Sequence, residues 1–136
     1  MTDLSSVLPG HSGSVTLLVG AEHTAPRIGS GRVAVLATPV MINLMEAAAL
    51  QAAEHLLPQG HQSLGIHLDV KHFAATPVGM RVTATAEVTA VNGRSIAFKV
   101  RASDEREVIG EGTHERVVVN VTRFDQRVQR KMQPPG

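Results

Sequence analysis

The chain has 136 residues, of which 43% are hydrophobic and 18% charged, a composition typical of one folded domain rather than a disordered polypeptide. Only 2% of the residues are aromatic and none is cysteine, which excludes disulfides, thiolate zinc sites, cysteine nucleophiles and aromatic platforms for single-stranded nucleic acid. The net charge of +1 predicts no general polyanion-binding surface, so we expect no nucleic-acid partner.

The first elements in chain order are a short strand and a long helix. Residues 14–19 have the pattern of a strand, and residues 20–32 hold three glycines and a proline, which indicates a loop. Thr38 and Pro39 are typical of a helix N-cap and the first helical position, so we expect a helix over residues 39–57. Apolar residues recur there at helical spacing: Met41, Leu44, Met45, Ala48, Ala49, Ala52, Ala53 and Leu56.

The rest of the chain alternates apolar and polar residues, as strands do. Strands are predicted over residues 66–72 and 80–90, and the Asn92-Gly93 pair predicts a type I′ hairpin into the next strand. A last strand runs to about Val121, with a bulge expected at Gly110 and Gly112. We expect these four strands to form a meander.

One helix and one antiparallel sheet can cover each other's apolar faces only if the sheet wraps around the helix. This arrangement is the hotdog fold, of the α+β class. We expect a single domain over residues 1–136, with a core over 13–122 and a basic C-terminal tail over 123–136. Pairing of exposed edge strands across a homodimer, or a dimer of dimers, would protect such a sheet.

Two polar residues are predicted at unusual positions. His72 follows Ile66, Leu68 and Val70 in the inward phase of its strand, so its imidazole should point toward the helix. Glu46 lies at the margin of the apolar helix stripe. Each has a purely structural interpretation: His72 as a core histidine and Glu46 as a solvated side chain. Together they could supply acid–base or nucleophilic chemistry, because they lie on facing elements.

The sequence resembles the fluoroacetyl-CoA thioesterase family of hotdog proteins over roughly residues 35–131. The resemblance rests on the order and spacing of short motifs: Ala37-Thr38, Leu44-Met45-Glu46, Leu64-Gly65, the run from Val70 to Gly79, and Gly112-Thr113-His114-Glu115-Arg116. It implies that Thr38, Glu46 and His72 are catalytic and that the backbone N–H of Gly65 binds the thioester carbonyl oxygen. Glu46 would be the nucleophile or general base, His72 would position water or assist the leaving thiolate, and Thr38 would orient the carboxylate.

One departure from that family concerns the acyl group. The resemblance implies a lid with bulky aromatic residues over the acyl group, but residues 20–36 contain no aromatic residue. We therefore expect an ordinary small or medium acyl-CoA substrate without selectivity for fluorine. Arg123, Arg127, Arg130 and Lys131 form a basic cluster, for which a solvated terminal segment is the simpler interpretation and binding of the CoA phosphates the functional one.

Two other functions remain open at this point. A hotdog enoyl-CoA hydratase or dehydratase would need an acid and a histidine in a different local motif, and a non-catalytic acyl-CoA-binding protein would use Glu46 and His72 structurally. No metal site or cofactor is predicted, because the seven histidines show no ligand spacing. The chain shows no signal-peptide pattern and no apolar run of about 18 residues, so we expect a cytoplasmic protein without a membrane partner.

Overall fold

The computed structural model describes residues 3–135, in which one antiparallel sheet packs against one long helix. The strands are β1 (Ser12–Leu18), β2 (His61–His72), β3 (Arg81–Asn92), β4 (Ser95–Ser103) and β5 (Val108–Asn120). The helices are α1 (Ala25–Ile28), α2 (Thr38–Ala53) and α3 (Val121–Arg130), with short 3₁₀ turns at Ala21–His23 and Glu54–Leu56. No helix among these residues is long and apolar enough to cross a membrane.

The predicted helix and the wrapped antiparallel sheet are confirmed. Helix α2 together with its 3₁₀ extension covers residues 38–56, close to the predicted 39–57. The buried helix residues are those of the predicted stripe, except that Leu56 is only partly buried: Met41, Leu44, Met45, Ala48, Ala49, Ala52 and Ala53. The helix packs mainly on β1 and β3, whose inward side chains alternate with exposed ones as the sequence predicted.

The predicted four-strand meander is wrong for β2. The strand order is β1-β3-β4-β5-β2, so only β3, β4 and β5 follow one another as hairpins. Strand β2 pairs along its length with β5, from His61 opposite Asn120 to His72 opposite Gly110. Its free side is an edge of the sheet. The chain does not turn back directly from β2 to β3. Residues 73–80 connect the two strands and pass the start of α2, where the Leu36 N–H donates to the carbonyl oxygen of Thr76 at 2.9 Å.

Strand β2 contains a bulge that the sequence analysis did not predict. The register shifts between Gly65 and His67, which makes Ile66 the extra residue and leaves it 54% exposed rather than inward. Val70 and His72 do face inward, opposite Gly112 and Gly110.

The two glycines of β5 allow close approach rather than forming the bulge themselves. The shift in β5 falls at Ile109, beside Gly110. A Cβ on Gly110 would lie 2.5 Å from Met41 Sδ and 2.7 Å from the Lys71 carbonyl oxygen. Gly110 therefore lets both α2 and β2 approach the β5 backbone.

The hairpin between β3 and β4 is centred one residue later than predicted. Asn92 pairs with Ser95, so the loop residues are Gly93 and Arg94. Gly93 has φ +60°, and no residue other than glycine has a positive φ in the described chain, which fits a type II′ turn rather than type I′. This turn presents Arg94 at the end of the sheet.

The basic C-terminal segment contains a helix that the sequence did not predict. Helix α3 starts directly after β5, and the side chain of Asn120 caps it by accepting from the Arg123 backbone N–H at 3.1 Å. Residues 121–130 are thus ordered against the end of β5. The division into a core over 13–122 and a tail over 123–136 stays a prediction.

Candidate active site

Thr38 and His72 form one polar pair at the N-terminus of α2. Thr38 Oγ1 lies 2.7 Å from His72 Nδ1, at the last residue of β2. The prediction that Thr38 is the N-cap is wrong: the N-cap residue is Ala37, and no side chain caps the helix. Thr38 occupies the first helical position, where its hydroxyl turns toward the imidazole instead of the backbone N–H groups.

The environment of His72 favours a neutral imidazole. Burial lowers the pKa of His72 below its usual value of 6.5, and contact with the Ala74 backbone acts in the opposite direction. Its Nε2 atom is buried and has no hydrogen-bond partner among residues 3–135. A neutral imidazole whose second nitrogen has no protein partner can take part in acid–base chemistry once a bound molecule or a side-chain movement reaches that nitrogen.

A cavity of about 300 Å³ opens beside this pair. Val33, Val35 and Leu36 line it, so the segment over residues 20–36 does border the Thr38–His72 pair, as the resemblance implied. Phe73 also lines the cavity and is 55% exposed. Phe73 directly follows the last residue of β2 and lies outside residues 20–36, so the absence of aromatic residues from that segment did not reveal it.

Glu46 belongs to a second polar cluster, near the middle of β2. Its Oε2 atom is 3.3 Å from Arg116 Nη1, and its side chain is 36% exposed. A Cβ on Gly65 would lie 2.5 Å from the same Oε2 atom, so the absence of a side chain there gives the carboxylate its place beside the strand. The structure thus brings Glu46 and Gly65 together.

Arg116, His114, Ser63 and Glu54 complete the second cluster. Arg116 is 6% exposed and donates through Nε to Ser63 Oγ at 2.8 Å and through Nη1 to His114 Nε2 at 3.1 Å. The Ser63 hydroxyl donates to Glu54 Oε1 at 2.6 Å. The sequence could have indicated that His114 and Arg116 are buried, because both share the inward phase of β5 with buried Val118.

The two clusters are separate within one chain. Thr38 and Glu46 are eight residues apart on α2, about 12 Å along its axis. Among residues 3–135 no hydrogen bond joins Glu46 to Thr38 or His72. The three residues named by the resemblance therefore do not form one hydrogen-bonded triad in a single protomer.

A basic cavity of about 510 Å³ lies at the other end of β2. It is lined by His61, Gly93, Arg94, Val119, Asn120, Arg123, Phe124 and Arg127. Arg123 and Arg127 thus share a concave surface, whereas Arg130 and Lys131 are not part of its lining. His61 and His72 are the two ends of β2, roughly 36 Å apart in an extended strand.

Comparison with known proteins identifies the family. A family model described as fluoroacetyl-CoA-specific thioesterase matches residues 6–122. The chain belongs to this family. A curated fluoroacetyl-CoA thioesterase from Streptantibioticus cattleyicolor is 44% identical over 97 residues, which are 71% of this chain and 70% of that protein.

Solved structures agree with this assignment. A structure of the fluoroacetyl-CoA thioesterase FlK superposes with a TM-score of 0.86 at 35% identity, covering 93% of this chain and 98% of that one. A Thermus thermophilus protein described as a thioesterase superfamily member superposes with a TM-score of 0.87 at 25% identity, covering 94% and 95%. The family resemblance and the hotdog fold are both confirmed.

The buried histidines predict a loss of stability in acid. Burial lowers the pKa of His114, and Arg116 lowers it further, while hydrogen bonding to the His67 backbone and the charge of Glu46 oppose the shift. The folded chain therefore holds His114 neutral while the unfolded chain binds a proton below about pH 6.5. The free energy of unfolding should fall between pH 7.5 and 5.5, and His114→Gln should reduce that fall.

Urea denaturation at the two pH values measures the effect. His55→Gln makes the same substitution at an exposed histidine and is the matched control. An equal pH dependence in wild type and His114→Gln would show that burial of His114 does not contribute.

Proposed function

We propose that this protein hydrolyses small or medium acyl-CoA thioesters at a site built from Glu46, His72, Thr38 and Gly65. As a member of its family the chain is a thioester hydrolase of the hotdog fold. The observation that carries the assignment to these residues is the placement of a half-exposed carboxylate beside Gly65 and of a neutral histidine oriented by Thr38.

The chemistry requires an attack on the thioester carbonyl and a proton for the leaving thiolate. Glu46 either attacks the carbonyl itself, forming a mixed anhydride that water then hydrolyses, or removes a proton from the water that attacks. His72 positions this water, or passes the proton released from it to the sulfur as the C–S bond breaks, and Thr38 holds the imidazole. The backbone N–H of Gly65 binds the carbonyl oxygen, where negative charge develops in the transition state.

The open edge of β2 supports a homodimer. Within residues 3–135 strand β2 pairs only with β5, and three of its apolar residues, Leu64, Ile66 and Leu68, are 39%, 54% and 38% exposed. Leu64 and Leu68 lie on either side of the register shift at Ile66. Antiparallel pairing of two β2 strands about a two-fold axis near Ile66 would reduce the exposure of these side chains and satisfy free backbone groups of the edge, other than the Gly65 N–H that we assign to the substrate.

This pairing would also bring the clusters of two protomers closer together. An axis near Ile66 places the start of one β2 beside the end of the other, so that His61 lies near the partner's His72. Glu46 contacts Gly65, which would then lie about five strand positions from the partner's His72 but seven from its own, so the partner's imidazole is the nearer of the two. We propose that each site draws its carboxylate from one protomer and its imidazole from the other.

The basic cavity would hold the CoA phosphates of a substrate whose acyl end lies in the partner's site. Arg94, Arg123 and Arg127 supply three cationic side chains there. The acyl group would enter the cavity lined by Val33, Val35 and Phe73. Because residues 20–36 contain no aromatic residue, we propose an acyl-CoA substrate without selectivity for fluoroacetyl-CoA. A cytoplasmic location stays a prediction of the sequence.

The first prediction of this proposed function concerns the two reacting groups, Glu46 and His72. Glu46→Gln removes the charge and His72→Ala removes the imidazole, and each should lower kcat at least about 100-fold on a good substrate. Free-thiol release from acetyl-, fluoroacetyl-, butyryl- and octanoyl-CoA measures the rates. Binding of these thioesters without turnover by wild type would instead identify a non-catalytic binding protein, and unchanged kcat in both variants would remove these residues from the mechanism.

The second prediction tests whether sites are shared. Glu46→Gln and His72→Ala protomers are each inactive, but a heterodimer of the two regenerates one complete site if the residues come from different chains. Unfolding and refolding an equimolar mixture should restore roughly a quarter of the wild-type activity, since half of the dimers are mixed and each has one intact site of two. The same treatment of each variant alone is the control, and no recovery in the mixture would place both residues of a site on one chain.

The third prediction separates the cavity arginines from the neighbouring basic residues. Arg123→Ala with Arg127→Ala should raise KM several-fold at low salt with little change in kcat, because phosphate contacts act equally on ground and transition states. The effect should shrink as salt increases. Arg130→Ala with Lys131→Ala removes the same charge outside the cavity and should leave KM nearly unchanged. Equal effects of the two double variants would favour a diffuse electrostatic role for the helix.

A further inference from the structure

A buried chain of hydrogen bonds runs from the end of α2 to the Glu46 carboxylate. Glu54 accepts from the Ser63 hydroxyl at 2.6 Å and from the Ser63 backbone N–H at 2.9 Å. Ser63 accepts from Arg116 Nε at 2.8 Å and, through its carbonyl, from Nη2 at 3.1 Å. Arg116 Nη1 then reaches Glu46 Oε2 at 3.3 Å. The far end of this chain, Glu54, lies two helical turns beyond Glu46.

Arg116 is committed to protein partners. A guanidinium has five N–H donors, and those of Arg116 are used by Ser63 twice, by His114 and by Glu46. Its side chain is also almost fully buried. It therefore has little capacity to bind a substrate phosphate or carbonyl directly, and its effect must pass through the groups that it contacts.

His114 fixes the guanidinium from a second direction. His114 Nδ1 lies 2.8 Å from the His67 carbonyl, so it carries the hydrogen, and Nε2 must be the acceptor for Arg116 at 3.1 Å. The ring stacks on Phe98 with a centroid distance of 6.0 Å. The lowered pKa of His114 agrees with this neutral tautomer.

We propose that Arg116 is a positioning residue for Glu46 and that the Ser63–Glu54 pair sets the orientation of Arg116. The inference rests on the proposed role of Glu46. Arg116 holds Oε2, whereas no donor among residues 3–135 is recorded for Oε1. Oε1 therefore keeps its lone pairs for the thioester or for water, and the network selects one orientation of a carboxylate that is part-exposed.

Ser63→Ala tests this inference by removing a hydroxyl that contacts Glu54 and Arg116 rather than Glu46 itself. It removes the hydroxyl that joins Glu54 to Arg116, and we expect kcat to fall roughly 10-fold with KM within about twofold of wild type, because only orientation in the transition state is lost. In the Glu46→Gln background the same substitution should change kcat less than about twofold, since no carboxylate remains to be oriented. Ser95→Ala, at a strand serine outside the network, is the matched control.

Arg116→Lys supplies a second test that keeps the charge. Lysine lacks the planar fork and cannot hold Ser63, His114 and Glu46 together, so kcat should fall in the Glu46 background and not in the Glu46→Gln background. Thermal unfolding of each variant reports whether the protein remains folded. Equal fractional losses of kcat in both backgrounds, or a loss confined to KM, would overturn the positioning role while Glu46→Gln remains slow. Wild-type kcat in Glu46→Gln would instead overturn the proposed function, and the inference with it.

Discussion

The close approach of α2 to the sheet is the constraint on which the rest of the structure depends. The helix presents alanines at its most enclosed positions, and β1 lies so near that a Cβ on Gly13 would be 2.5 Å from the Ala48 carbonyl oxygen. At the other side Gly110 gives room to Met41. Because the helix is enclosed in this way, Thr38 is placed against the end of β2 and Glu46 against its middle.

The same packing explains why a charged network is tolerated inside the protein. Burying Arg116 costs several kcal/mol in desolvation unless its donors are satisfied, and a buried ion pair often contributes little net stability. Here Glu54 and Glu46 supply negative charge at two ends, while Ser63 and His114 satisfy the donors between them. This network costs desolvation energy and ends at the part-exposed carboxylate of Glu46. We therefore explain it by the geometry of the proposed site rather than by a gain in stability.

The sequence allowed the local elements to be predicted, because their signals are local. Alternation identified β3 and β4, and helical spacing identified α2 within a few residues. The position of β2 at the far edge of the sheet could not be predicted, since it depends on pairing with β5 some fifty residues later. Similarly, an N-cap threonine and a threonine that binds a histidine have the same local sequence. Only the tertiary contact with His72 distinguishes them.

The candidate site could be predicted in part for the same reason. Glu46 and His72 were recognisable as polar residues beside apolar stripes, but their separation within one chain follows from where β2 lies. The network around Arg116 was not recognised, because each of its members is ordinary alone and becomes unusual only when buried together. The two ends of β2 differ in their surroundings: Thr38 and His72 border one cavity, and Arg94, Arg123 and Arg127 border the other. In the antiparallel pairing that we propose, these unlike ends would lie side by side, so the symmetry that covers the open edge would also complete two sites at once.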